Sequence, residues 1–152
     1  MKILYTDASF DWTSTERSNE NVVRGKIAVS DGNSFKRIEK VAIGKVEGLR
    51  QYINVLELTA IARAVELASE ENPKVDELTI FTDSQIAMFW ARKGRVNPKV
   101  VTPAHDSVLE YLRRARIQFG TGNLVIFSHI SRDQNPAGKL LEIELEKEPP
   151  HA

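Results

Sequence analysis

The sequence predicts an α/β fold: one mixed five-stranded sheet flanked by helices, in the order βββαβααβα. Three observations carry this reading. Three β-rich stretches come before Gly44, a turn signal at Asp31-Gly32-Asn33 joins the second to the third, and from Tyr52 onward strand patterns alternate with helical ones. Hairpin-joined strands pair antiparallel and helix-joined strands parallel, so three antiparallel strands are followed by two parallel ones.

Lys2 to Ala8 is the first strand, with Ile3, Tyr5 and Asp7 on one face and Leu4, Thr6 and Ala8 on the other. Asp11 to Asn21 has loop composition, after which Val22 to Ser30 and Phe35 to Ile43 read as strands. From Tyr52 to Ser69, Ile53, Leu56, Ala60, Ile61, Ala64, Leu67 and Ala68 recur at helical spacing, and Asn72-Pro73 breaks the helix. Glu77 to Asp83 is a short fourth strand. Helices follow over Ser84 to Lys93 and Ala104 to Phe119, separated by Gly94, Asn97, Pro98 and Pro103. Leu124 to Ser131 is the last strand, and a helix from Pro136 to Lys147 closes the pattern. Residues 1–148 are thus expected to form a single domain, with 149–152 a frayed tail.

A chain of 152 residues can bury a sizeable core. It contains no cysteine, which excludes disulfides, thiolate metal sites and cysteine nucleophiles. No apolar run reaches signal-peptide or membrane-spanning length, so a soluble, cytoplasmic protein with no membrane partner is expected, and nothing implies a protein partner beyond a monomer. Twenty-one basic residues balance twenty-one acidic ones, so net charge gives no hint of a polyanionic partner. Their distribution says more: Arg92, Lys93, Arg95, Lys99, Arg113, Arg114 and Arg116 cluster against only Asp106 and Glu110, a segment suited either to a phosphate backbone or to a solvated helix face.

Three acids stand out. Asp7 and Asp83 end two largely apolar strands, where ligands gather in open sheets. If those strands are neighbours, the two carboxylates repel unless a cation joins them; the competing reading is that each caps the turn or helix that follows. Glu57 shares the apolar stripe of the first helix, and a buried carboxylate is costly without compensation, unless it sits at the stripe's edge and reaches solvent. Three carboxylates from separate elements suit Mg²⁺ or Mn²⁺. A calcium loop over Asp7, Ser9 and Asp11 is disfavoured, because Trp12 stands where such a loop needs glycine.

These motifs resemble those of type 1 ribonuclease H. Tyr5-Thr6-Asp7-Ala8-Ser9 is similar to the family's first-strand motif, Asn54-Val55-Leu56-Glu57-Leu58 to its first-helix motif, and Phe81-Thr82-Asp83-Ser84-Gln85 to its fourth-strand motif. Phe127 through Asn135 resembles the last-strand and loop pattern of the short forms, so the likeness spans nearly the whole chain. The resemblance implies a ribonuclease H-like fold and hydrolysis of the RNA strand of RNA/DNA hybrids by two metal ions, giving 5′-phosphate and 3′-hydroxyl ends. It implies that Asp7, Glu57 and Asp83 hold the metals and that Asn54 and Gln85 touch the minor groove. Ser9 and Ser84 lie in the same motifs and join the substrate-contact expectations, while Arg113 and Arg114 are placed on the DNA strand's phosphates.

The chain departs from the family at one position. Asn135-Pro136-Ala137-Gly138 carries glycine where the family has its fourth carboxylate. Glu142, one turn later, is the expected replacement, since helical side chains lean toward the N-terminus. Without a replacement, the alternative is a nucleic-acid-binding module that cuts weakly or not at all. The family's loop histidine has no counterpart, His129 lying in the last strand and His105 in a remote loop.

Overall fold

A computed structural model describes residues 1–10, 22–44 and 49–147, without the side chains of 22, 23 and 49–51. The polar stretch read as a loop at 11–21 and the tail beyond 147 lie outside the described residues. Strands β1 (Lys2–Phe10), β2 (Val22–Ser30), β3 (Lys36–Gly44), β4 (Glu77–Thr82) and β5 (Leu124–His129) alternate with helices α1 (Leu49–Ser69), α2 (Gln85–Lys93), α3 (Pro103–Phe119) and α4 (Pro136–Lys147) in the expected order. The sheet runs β3-β2-β1-β4-β5, antiparallel across the first three strands and parallel from β1 through β5.

Boundaries move where tertiary pairing decides them. β1 continues two residues past Ala8 because Ser9 and Phe10 pair with Lys26 and Gly25. β5 stops at His129: the amide of Ile130 donates to the carbonyl of Thr82 at 2.9 Å, and the chain then turns through a 3₁₀ segment, Arg132–Gln134. The β2–β3 turn is held by Asp31, whose carboxylate accepts from the amides of Asn33 (2.7 Å) and Phe35 (3.1 Å).

Two apolar layers cover the sheet. On one face, Leu4, Ala8, Ile27, Val29, Leu78, Ile80 and Phe127 pack with residues of α1, α2 and α3. On the other, Ala28, Tyr5 and Ile38 pack under Ala137, Leu140 and Leu141 of α4. Every residue from Val55 to Ala62 of α1 is buried, because α3 covers the side turned away from the sheet. Close approach of α1 to β2 depends on Gly25, where a Cβ would lie 2.6 Å from the Ser9 carbonyl and 2.7 Å from Leu56 Cδ1. That approach delivers the α1 segment carrying Glu57 to the end of β1. No helix among the described residues is long and apolar enough to cross a membrane.

Candidate active site

The parallel register brings two of the predicted acids together. Thr6 of β1 pairs with Thr82 of β4, so Asp7 and Asp83 are the next residues of adjacent chains. β4 ends there while β1 runs on, leaving no β4 partner beside β1 beyond Thr82. Asp7 points to the α4 face of the sheet, in line with Tyr5. Glu57 arrives from α1 on the opposite face, yet one carboxylate oxygen from each of the three acids lies within 4.8 Å of the others. Glu57 is 5% exposed, and its Oε2 is buried with no hydrogen-bond partner. The solvent-reaching alternative for Glu57 is thereby overturned. Capping falls to Ser84, whose Oγ accepts from the amide of Ala87 at 3.1 Å, so Asp83 is not the helix cap.

Crowding has the expected electrostatic effect. The Asp7 carboxyl is pushed up from 3.8 to about 6, chiefly by burial and then by the charge of Asp83, with Arg132 pulling the other way. Glu57 is pushed well above its ordinary value by burial, then by Asp7 and Asp83. Raised carboxyl values mean that the folded protein holds protons the unfolded chain has released. Stability from these groups is therefore fully present below about pH 4 and falls as pH rises through about 6, with Glu57 extending the loss upward. Two pKa units correspond to roughly 3 kcal/mol, an upper bound for Asp7. In chelator, thermal melts are expected to fall by several degrees between pH 5 and pH 7.5, and millimolar Mn²⁺ should remove most of that fall. A melting temperature that rose over the same interval with chelator present would contradict this picture.

The structure distributes the other predicted residues unevenly. Asn54 is half-buried one turn before Glu57 on α1, and Gln85 is exposed at the first position of α2, immediately after the Ser84 cap. Ser9 is half-buried, two residues past Asp7 on the same side of β1 and opposite Lys26. Arg113 and Arg114 are exposed on α3 and engage Glu110, Arg113 at 2.5 and 2.7 Å and Arg114 at 3.0 Å. Neither arginine is among the leading influences on Asp7 or Glu57. Glu142 is exposed on α4 and lies outside the acid cluster, so the fold does not bring it to the three acids. Gly138 does reach the site: a Cβ there would stand 3.1 Å from Asp7 Oδ2. His105 is buried at the start of α3 rather than in a loop, its Nδ1 accepting from the amide of Thr102 at 3.0 Å.

Two residues near the acids carried no predicted role. Arg132 is the cation that acts on Asp7. Asn135 is fully buried, and its Nδ2 donates to the Thr6 carbonyl at 2.9 Å and to Asp83 Oδ2 at 3.4 Å. An asparagine immediately before proline at a helix start was the sequence signal for it. A cleft of about 670 Å³ between α2, α3 and the connection that joins them is lined by Val96, Val101, Leu109, Arg116 and Ile117 among others, and shares no residue with the acid cluster.

No protein-family model matches the sequence, and no curated protein matches it. Solved structures do match in shape. LC11-RNase H1, isolated from compost and solved in complex with RNA/DNA hybrid, is 21% identical, with a TM-score of 0.57 over 91% of each chain. RNase H1 from the halophilic archaeon Halobacterium salinarum is 19% identical, with a TM-score of 0.54 over 96% of this chain and 98% of its own. The N-terminal RNase H domain of rv2228c from Mycobacterium tuberculosis is 17% identical, with a TM-score of 0.56 over 91% and 95%. With its mixed five-stranded sheet flanked by helices and this likeness in shape over nearly its whole length, the chain has the ribonuclease H fold.

Proposed function

We propose that this protein is a divalent-metal-dependent nuclease that hydrolyses the RNA strand of RNA/DNA hybrids. One observation carries the reading: Glu57, buried and with one carboxylate oxygen unpartnered, brings a carboxylate oxygen within 4.8 Å of those of Asp7 and Asp83. Three anions gathered at that depth without a cation are costly, and an all-oxygen donor set suits Mg²⁺ or Mn²⁺. Asp7, Glu57 and Asp83 would hold the metal, with a pair of ions when substrate is present. Bound ions would activate the attacking water and neutralise charge on the leaving 3′-oxygen, leaving 5′-phosphate and 3′-hydroxyl ends.

The chain's own residues supply the rest. Glu57, shielded from solvent, contributes an anion whose attraction for a cation is little screened. Arg132, whose charge reaches Asp7, would offer positive charge to an incoming phosphate. Asn54 and Gln85 present amide groups at the solvent margin of the two helices that flank the acids, suited to the 2′-hydroxyls and base edges of a hybrid's minor groove. Ser9, two residues past Asp7, and Ser84, directly after Asp83, would contact the same stretch of substrate. Arg113 and Arg114 lie further along α3, where they would meet backbone phosphates only by exchanging Glu110 for them, so their contribution is to salt-sensitive affinity rather than to the reaction.

Gly138 favours a second reading, a binder of hybrid that cuts poorly for want of a fourth carboxylate. A labelled RNA/DNA hybrid incubated with Mg²⁺ or Mn²⁺, beside single-stranded RNA, double-stranded DNA and chelator controls, separates the two. Cleavage confined to the hybrid's RNA strand and abolished by chelator or by Asp83→Asn is the expected result. Equal hybrid binding by wild type and Asp83→Asn, with no cutting by either, would establish the binder instead.

A further inference from the structure

We infer that Asn135 is a positioning residue for the acid cluster, setting the orientation of Asp83 and its separation from Asp7; the inference rests on the metal-site reading above. The amide of Asn135 is fully buried and has all its principal partners. One N–H of Nδ2 serves the Thr6 carbonyl at 2.9 Å, on the residue that precedes Asp7. The other serves Asp83 Oδ2 at 3.4 Å. Oδ1 accepts from the amide of Ala137 at 3.1 Å, in the first turn of α4. A single side chain thus ties the backbone of β1, the carboxylate at the end of β4 and the helix that seats Gly138 against Asp7.

The pattern is specific to a carboxamide. An amide has two N–H donors and a carbonyl acceptor on one planar group, matching one backbone carbonyl, one carboxylate and one backbone N–H. Serine can still cap α4 but cannot donate to both Thr6 and Asp83. Without the amide, Asp83 loses the neutral donor that limits rotation of its carboxylate, and the repulsion among three anions is free to splay it away from Asp7. Partners behind a metal ligand act in this way, and losing one weakens metal affinity by roughly 10–100-fold.

The test uses Mn²⁺ alone as the probe, titrated into the full chain and read by electron paramagnetic resonance of free Mn²⁺. Asn135→Ala and Asn135→Ser should each raise the Mn²⁺ dissociation constant about 10–100-fold while remaining folded by circular dichroism. Asn135→Ser keeps the helix cap, which guards against loss of the fold. Asn123→Ala is the control, because Asn123 makes a comparable amide bond to the Phe119 carbonyl at 2.7 Å, outside the acid cluster. It should lower the melting temperature with the Mn²⁺ constant changed less than about twofold. If wild type binds Mn²⁺ and folded Asn135→Ser binds it equally well, Asn135 is merely structural and the inference is overturned. A wild type that binds no Mn²⁺ overturns the metal-site reading, and this inference with it.

Discussion

Asp7→Asn should abolish metal-dependent cleavage and, in the same preparation, make the metal-free protein more stable. The two effects have one cause. Asp7 lies beside both other acids, partly buried and under the charge of Asp83. Asparagine keeps the shape and removes the charge, so the cost of holding a buried carboxylate beside Asp83, which raises Asp7 to about 6, disappears near neutral pH. A relief of about 2 kcal/mol is expected at pH 7.5 in chelator, equivalent to roughly 4–8 °C in melting temperature for a chain of this size. Cleavage of hybrid should fall by at least about 10²–10³-fold, the scale on which an electrostatic contributor to phosphoryl chemistry is missed. Melts in chelator and single-turnover cleavage with Mn²⁺ measure the two halves. A variant that loses activity and also loses stability in chelator would show Asp7 to be a structural group, and the strained-acid account of the site would fail.

The relief of strain and the legibility of the site share an origin in the sheet. Asp7 and Asp83 could be read from sequence because each closes a short apolar run, although β1 itself continues to Phe10, and parallel pairing through Thr6 and Thr82 then leaves them little choice but to be neighbours. Glu57 was legible because a carboxylate on an apolar stripe needs a compensating partner. Element order was legible for the same reason as the strands, since periodicity is local. What local pattern cannot carry is what a distant element adds. The outer face of α1, with Val55, Leu58, Ala62 and Val65 buried, is set by α3, which arrives about fifty residues later. Extension of β1 to Phe10 is set by its pairing with Gly25 and Lys26. Asn135 stands in the sequence only as the residue before the helix that opens at Pro136, and it is the fold that brings its side chain to Thr6 and Asp83. Glu142 was expected at the site from helical lean alone, but a side chain one turn beyond Gly138 stays in solvent when the helix's inner face is taken by Ala137 and Leu141.

Gly138→Asp is the substitution that should strengthen the site, and its signs are opposite with and without metal. A Cβ at 138 lies 3.1 Å from Asp7 Oδ2, 3.8 Å from Asp7 Cγ and 3.9 Å from Asn135 Cβ, so the new carboxylate enters directly beside Asp7. Half-buried Asp7 can give the few tenths of an ångström required. In chelator at pH 7.5 a fourth anion should cost about 1–3 kcal/mol, or roughly 2–12 °C. With Mn²⁺ present the order reverses: affinity should rise at least about tenfold, and cleavage of hybrid should rise with it. Gly138→Ala separates shape from charge, because it introduces the same Cβ without the carboxylate and should share the steric cost but none of the gain. Glu142→Gln, at an exposed position outside the cluster, should leave the cleavage rate within about twofold of wild type. If Gly138→Asp weakens Mn²⁺ binding as Gly138→Ala does, the space beside Asp7 is closed to a further ligand, and the three acids together with the substrate's own phosphate constitute the whole of the site. If only Gly138→Asp strengthens binding, the glycine is what sets the protein's metal affinity, and cleavage should become strong at metal concentrations where the natural chain is still largely empty.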